Sequence, residues 1–171
     1  MGKKFKLIIC IVFFPVTILF FICKGLIKII DKIKFNAFLK NLTIKDIDGL
    51  DGHAFEKVMF ELFKSAHLKV EQTRKSRDFG ADLIINTKIE RIVIQCKLYF
   101  NHNVGNSAIQ EINTAKNYYD ATLGVVITNS KFTKPAKTLA ATSGIKIIDR
   151  EELSEFLTLS PKQKKDYIET L

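Results

Sequence analysis

Cysteine is scarce in this chain and nowhere arranged for cross-linking. Cys10 and Cys23 stand thirteen residues apart, roughly 20 Å if the segment is helical, and Cys96 lies in an apolar run of strand length. No intramolecular disulfide framework can be built from that set, which agrees with a reducing environment. The three histidines and these cysteines form no zinc-spaced cluster. A glycine-rich phosphate loop is missing, and so is any internal repeat. A disulfide-stapled module, a zinc finger, a P-loop enzyme and a solenoid are therefore excluded together.

Charge is missing from one stretch. Residues 7–23 are 17 positions without a charged side chain, at the short end of what a helix needs to cross a bilayer, and Lys24 and Lys28 can snorkel to extend it. The expectation is a single transmembrane helix over residues 7–23, with a short tail at 1–6 and a basic juxtamembrane helix and linker at 24–48. The rival is a cleaved secretory signal, because Lys3, Lys4 and Lys6 form a basic leader. Phe20, Phe21, Ile22 and Cys23 offer no small-residue cleavage site, however. Five lysines within residues 24–40 against three ahead of the span predict a single-pass membrane protein with its larger part facing the cytoplasm.

The net charge of +9 is unevenly placed. Residues 1–23 carry +3, residues 24–40 carry +4 from five lysines and Asp31, and residues 41–171 carry +2 from 19 basic and 17 acidic side chains. Most of the excess flanks the apolar stretch. It speaks for anionic lipid at least as well as for nucleic acid.

With 171 residues, 47% of them apolar, the chain holds one domain of ordinary size and an appendage. The turn cluster Gly49, Leu50, Asp51, Gly52 can cap a helix running to about Ala66, with Phe55, Val58, Met59, Leu62 and Phe63 as its stripe. A strand comes next at 69–73, and the segments 82–85 and 91–97, joined by a short charged connection, read as a hairpin. Beyond Gly105 helices and strands alternate: a helix at 106–119, a strand at 123–128, a helix begun at Pro135 and ended by Gly144, a strand at 145–148, and a helix at 151–157 that Asp149 can cap. Residues 160–171 form one more exposed helix or fray. This order predicts an α/β domain over residues 49–159, with a mixed central sheet whose parallel members come after an antiparallel start.

The polar exceptions in the hairpin carry the chemistry. On a strand, Gln95 and Lys97 share one face while Cys96 points to the other, and Asp82 can reach the first face from the neighbouring strand. A carboxylate, an amide and an ammonium at the end of apolar strands are costly to desolvate unless they bind something. A divalent cation and a phosphate satisfy all three. Glu56 falls in a helical row with Phe60 and Phe63, so it faces the protein; it is either an edge glutamate stabilised by the helix dipole or a member of the site. Arg74, Lys75 and Arg77 form a basic run directly before Asp82, either a solvated loop or a phosphate-facing one. Gln110 lies on an uncharged amide row with Asn106, Asn113 and Asn117, which is either surface or site.

At Gly52 to Glu56, Gly80-Ala81-Asp82, Gln95-Cys96-Lys97, Ala108-Ile109-Gln110-Glu111, residues 124–129 and Ile148-Asp149-Arg150, the chain resembles the Mrr-like branch of the PD-(D/E)xK nuclease superfamily. The resemblance implies a restriction-endonuclease-like three-layer core and a DNA endonuclease dependent on Mg²⁺ or Mn²⁺. It implies that Asp82, the Gln95 side-chain oxygen and the Cys96 backbone carbonyl hold the metal, that Lys97 serves the attacking water and the phosphate, and that Glu56 and Gln110 lie near the site. Expected partners are DNA, the lipid bilayer and a second copy in a homodimer. Gln95 stands where many superfamily members have an acid, which lowers the negative charge of the site. Two competing readings are a catalytically inactive DNA-binding module of the same fold and a membrane-surface interaction protein.

Overall fold

The computed structural model of the protein describes residues 2–73 and 79–171, with side chains from Phe20 onward. The chain divides into two units, Met1–Asn41 and Leu42–Leu171.

The first unit is one helix, α1 (Gly2–Lys40). Its described part presents Phe20, Phe21, Ile22, Leu26, Ile27, Ile29, Ile30 and Ile33 to the outside, and the Lys24 ammonium lies 4.5 Å from the Phe20 ring centre. Of the expected span, side chains 7–19 lie outside the described residues. From Phe20 onward the apolar run lasts only to Cys23 before Lys24, Lys28, Asp31, Lys32 and Lys34 interrupt it. Charges at that frequency are too costly to hold in hydrocarbon. Among the described residues no helix is long and apolar enough to cross a membrane. The expectation of a single-pass membrane protein with a bilayer partner is corrected on that finding.

The second unit begins with α2 (Ile44–Asp48), started by a reciprocal capping box between Thr43 and Asp46. Next come α3 (Gly52–Ser65), β1 (Lys69–Gln72), β2 (Leu83–Asn86) and β3 (Arg91–Lys97). The chain continues through α4 (Asn106–Tyr118), β4 (Leu123–Thr128), α5 (Lys134–Ser143), β5 (Ile145–Ile148), α6 (Arg150–Thr158) and α7 (Pro161–Glu169). The caps are the residues their chemistry favours. Asp51 accepts from Ala54 N at 2.7 Å to start α3, Asp149 starts α6, and Gly144 ends α5 in the left-handed conformation at φ 62°. The C-terminal stretch is less exposed than expected: α7 buries Ile168 and Lys164, and the Lys164 ammonium donates to the carbonyls of Leu157 and Leu159.

The five strands lie in sequence order, antiparallel from β1 to β3 and parallel from β3 to β5. The tight connection at residues 87–90 joins β2 to β3 as a hairpin, and the helical crossovers α4 and α5 impose the parallel half. One face of the sheet, with Ile84, Val93 and Val126, packs against Ala108, Ile109, Ile112 and Ala115 of α4 and against Ala136 and Ala140 of α5. Helices α3 and α6 contact the sheet as well, α3 at β1 and β3 and α6 at β4 and β5. Strand β3 is therefore central, and its residues Ile92, Val93, Ile94, Gln95 and Cys96 are all buried.

One ionic cluster ties α2, the end of β4 and α6 together. The Arg150 guanidinium donates to both Asp48 oxygens at 2.7 Å and to the Asn129 carbonyl at 2.9 Å. The Asn129 amide donates to Asp48 Oδ1 at 3.0 Å, and its oxygen accepts from Tyr99 N at 2.8 Å. The Arg150 hydrogen bonds are the largest influence on the Asp48 carboxyl and, with Asn129, hold it below the usual carboxylate range against the opposing effect of burial. A carboxyl depressed in the folded state stabilises the fold fully above its unfolded value of about 3.9 and loses that contribution as pH falls through the folded value. Asp48→Asn should lower stability to urea at neutral pH by about 1 kcal/mol, since the pair is partly exposed. The gap to wild type should narrow below about pH 4. A gap independent of pH would remove the ion pair as its cause.

Candidate active site

Asp82 stands at the entry to β2 and is tied down from both sides. Its N–H donates to the Ile94 carbonyl at 2.8 Å, and its carbonyl accepts from Thr73 N at 3.0 Å. Its carboxylate Oδ2 reaches across to accept the Cys96 N–H at 2.7 Å. The hairpin expected from sequence thus brings the acid to the residue between Gln95 and Lys97. Cys96 is buried, and its thiol is pushed well above its usual range by burial first, then by the negative charges of Asp82 and Glu56.

On the α4 face of β3 the polar residues meet a partner that sequence reasoning missed. Gln95 Nε2 donates to Glu111 Oε2 at 2.6 Å, and Lys97 Nζ donates to the same oxygen at 2.8 Å. Burial raises the Glu111 carboxyl, but the bonds from Lys97 and Gln95 outweigh it and leave the group below its usual range. The side chain of Gln95 is only 3% exposed. Among the described residues its oxygen, Oε1, is buried without a hydrogen-bond partner. Glu111 is the one acidic residue of α4. It lies three residues after Ala108 and four before Ala115, on the flank of the buried stripe, a position that could have marked it.

Of the remaining expected site residues, Glu56 and Gln110 are described. Glu56 of α3 is half-buried, 3.4 Å from His53 Nδ1, and close enough for its charge to act on the Cys96 thiol. Gln110 is exposed, one position from Glu111 and a different way round the helix. Arg74, Lys75 and Arg77 lie outside the described residues. A cleft of about 490 Å³ opens elsewhere, beside Tyr99, Phe100, Asn129, Lys131 and Arg150. For a hard cation the site offers oxygen donors in the Asp82 carboxylate, Gln95 Oε1 and the Cys96 carbonyl. Among the described residues no three His, Cys, Asp or Glu side chains gather as a metal cluster.

The model of the Mrr catalytic family, described as "Restriction endonuclease", matches residues 47–157, more than half of the chain. The chain belongs to this restriction endonuclease family. No curated protein matches it. Among solved structures, this restriction endonuclease domain is similar to one titled a protein of unknown function, AF1548, at 20% identity over 55% of each chain with a TM-score of 0.47. It is similar to the DNA modification-dependent restriction endonuclease AspBHI at 17% identity over 68% of this chain and 34% of that one, with a TM-score of 0.49. It is similar to the MspJI restriction endonuclease in complex with a 27-mer oligonucleotide at 19% identity over 77% and 34%, with a TM-score of 0.47. The chain thus spans 55% of the first of these proteins and 34% of the other two.

The turn that delivers Asp82 depends on Gly80. Its φ of 93° is one that residues with a side chain rarely adopt, and a Cβ there would fall 2.7 Å from Glu111 Cβ and 3.1 Å from the Glu111 carbonyl carbon. Gly80→Ala should therefore cost about 1–3 kcal/mol in thermal or urea unfolding, from backbone strain and from the forced separation of the turn and α4. Unchanged stability would show that the turn relaxes freely and does not depend on this approach.

Proposed function

We propose that the Leu42–Leu171 unit is a divalent-metal-dependent DNA endonuclease that hydrolyses phosphodiester bonds. Membership of a restriction endonuclease family supports the reaction class, and one observation in the site carries the metal. Two buried side-chain amides in this unit are each oriented by a carboxylate, Asn129 by Asp48 and Gln95 by Glu111. The Asn129 oxygen is satisfied by the Tyr99 N–H. The Gln95 oxygen is buried and, among the described residues, unpartnered. Burying such an acceptor costs on the order of 1–3 kcal/mol, a cost that a bound cation removes.

The donors present fit Mg²⁺ or Mn²⁺: the Asp82 carboxylate, Gln95 Oε1 and the Cys96 carbonyl are all hard oxygen ligands. When bound, such an ion supplies Lewis-acid polarisation of the phosphate and a more acidic water. Asp82 contributes the anionic donor and, by holding the Cys96 N–H, fixes the strand that bears the others. Gln95 adds a donor without charge, so the site depends on substrate phosphate for further negative charge. Lys97, one quarter exposed, supplies an ammonium that can turn from Glu111 to an incoming phosphate, stabilise its developing charge and take part in proton transfer at the attacking water. Glu56, on α3, is a second acid within electrostatic reach of β3.

The test is plasmid cleavage by the purified full chain in Mg²⁺, Mn²⁺ or EDTA, on methylated and unmethylated DNA. Cleavage is expected with either metal and not in EDTA. Asp82→Ala and Lys97→Ala should each lower it by at least about 100-fold, with an unaltered circular dichroism spectrum, because both side chains are only partly buried and neither belongs to the apolar core. Retained cleavage in either folded variant would sink the assignment.

A further inference from the structure

We propose that Glu111 is the positioning residue of this site: its single oxygen Oε2, reached by both Gln95 and Lys97, sets which way the buried Gln95 amide is turned and where the Lys97 ammonium is held. Its effect on cleavage rests on the nuclease reading above; its effect on the amide does not.

An amide is ambiguous in orientation. Gln95 can present either its oxygen or its NH₂ to α4, and the two ends are nearly equal in size. An oxygen turned to a carboxylate would set two acceptors against each other. The NH₂ turned to it makes a charge-assisted bond, here 2.6 Å. The carboxylate therefore selects one orientation, and that choice leaves Oε1 as the donor available to a cation. Lys97, at 2.8 Å from the same oxygen, gains a fixed resting position on the same face of β3. A polar side chain packed behind a ligand in this manner governs the ligand's orientation and its affinity for metal.

The backbone is built to permit the contact. The α4 stripe of Ala108, Ile109, Ile112 and Ala115 is buried against the sheet, which fixes the rotation of the helix and puts Glu111 at its edge. Gly80, two residues before Asp82, is pressed against the Glu111 Cβ and carbonyl. The turn that aims Asp82 and the helix residue that aims Gln95 are thus set against each other. The competing account is an ordinary surface ion pair between Lys97 and Glu111, whose side chains are 25% and 44% exposed; a pair of that kind typically changes stability or binding less than about fivefold and would leave Gln95 untouched.

The experiment compares Glu111→Ala and Glu111→Gln in the full chain. It measures the Gln95 side-chain amide by nitrogen-edited NMR and the binding of Mn²⁺ alone by electron paramagnetic resonance. In wild type the Gln95 amide protons should resonate downfield and exchange slowly. Glu111→Ala should lose that signature and weaken Mn²⁺ binding by at least about tenfold. Glu111→Gln, which keeps a carbonyl oxygen as acceptor but loses the charge and gains an NH₂, should retain part of the signature and weaken Mn²⁺ binding less than Glu111→Ala does. An unchanged Gln95 signature in Glu111→Ala overturns the proposal, as does a lost signature with unchanged Mn²⁺ affinity. A Glu111→Ala chain that does not fold assigns the residue to stability and overturns it too. Wild-type protein that cuts no DNA yet shows Glu111-dependent Mn²⁺ binding would retire the nuclease reading and leave this one standing.

Discussion

The middle of a strand covered on both faces leaves a polar side chain no water to turn to, and Gln95 of β3 is such a side chain. Gln95 is buried like the isoleucines beside it, so its amide must be satisfied by protein or bound to something else. Much of the site's construction answers that requirement. Helix α4 carries the acid that takes the amide's N–H, the apolar stripe of α4 sets the angle at which that acid arrives, and Gly80 leaves room for the approach.

The unit solves the same problem twice and to different ends. At the close of β4, Asn129 is held by Asp48, its oxygen is occupied by the Tyr99 backbone, and Arg150 completes a cluster joining three elements. Every strong partner there is internal. At the close of β3 the oxygen has no partner among the described residues, the acid is shared with a lysine, and Asp82 joins from the adjacent strand. The first arrangement is scaffold, the second has capacity to spare. Both sit at the ends of neighbouring parallel strands, where the register sets Lys97 opposite Thr128.

The helix α1 shows where reading composition along a chain goes astray. An uncharged run drew the expectation of a span, extended past Cys23 on the argument that Lys24 and Lys28 snorkel. From Phe20 the run is short, and lysines return about once per helical turn. Among the described residues that pattern leaves no helix fit to cross a membrane.

The order of elements was legible in the residues alone. Period-two and helical spacing marked the hairpin, the crossovers and the stripes of α3 and α4, and Asp51, Gly144 and Asp149 marked helix ends, because these signals arise from backbone geometry within a few residues. The strand positions of Asp82, Gln95 and Lys97 were legible for the same reason. Glu111 was not. It sits 14 residues from Lys97 and 16 from Gln95, and Gln110, its neighbour in an uncharged row, was the more conspicuous polar residue. Which of the two meets β3 is decided by how α4 rolls onto the sheet. That roll is set by side chains of β2, β3, β4 and α5 packing together, a condition no local stretch of sequence contains.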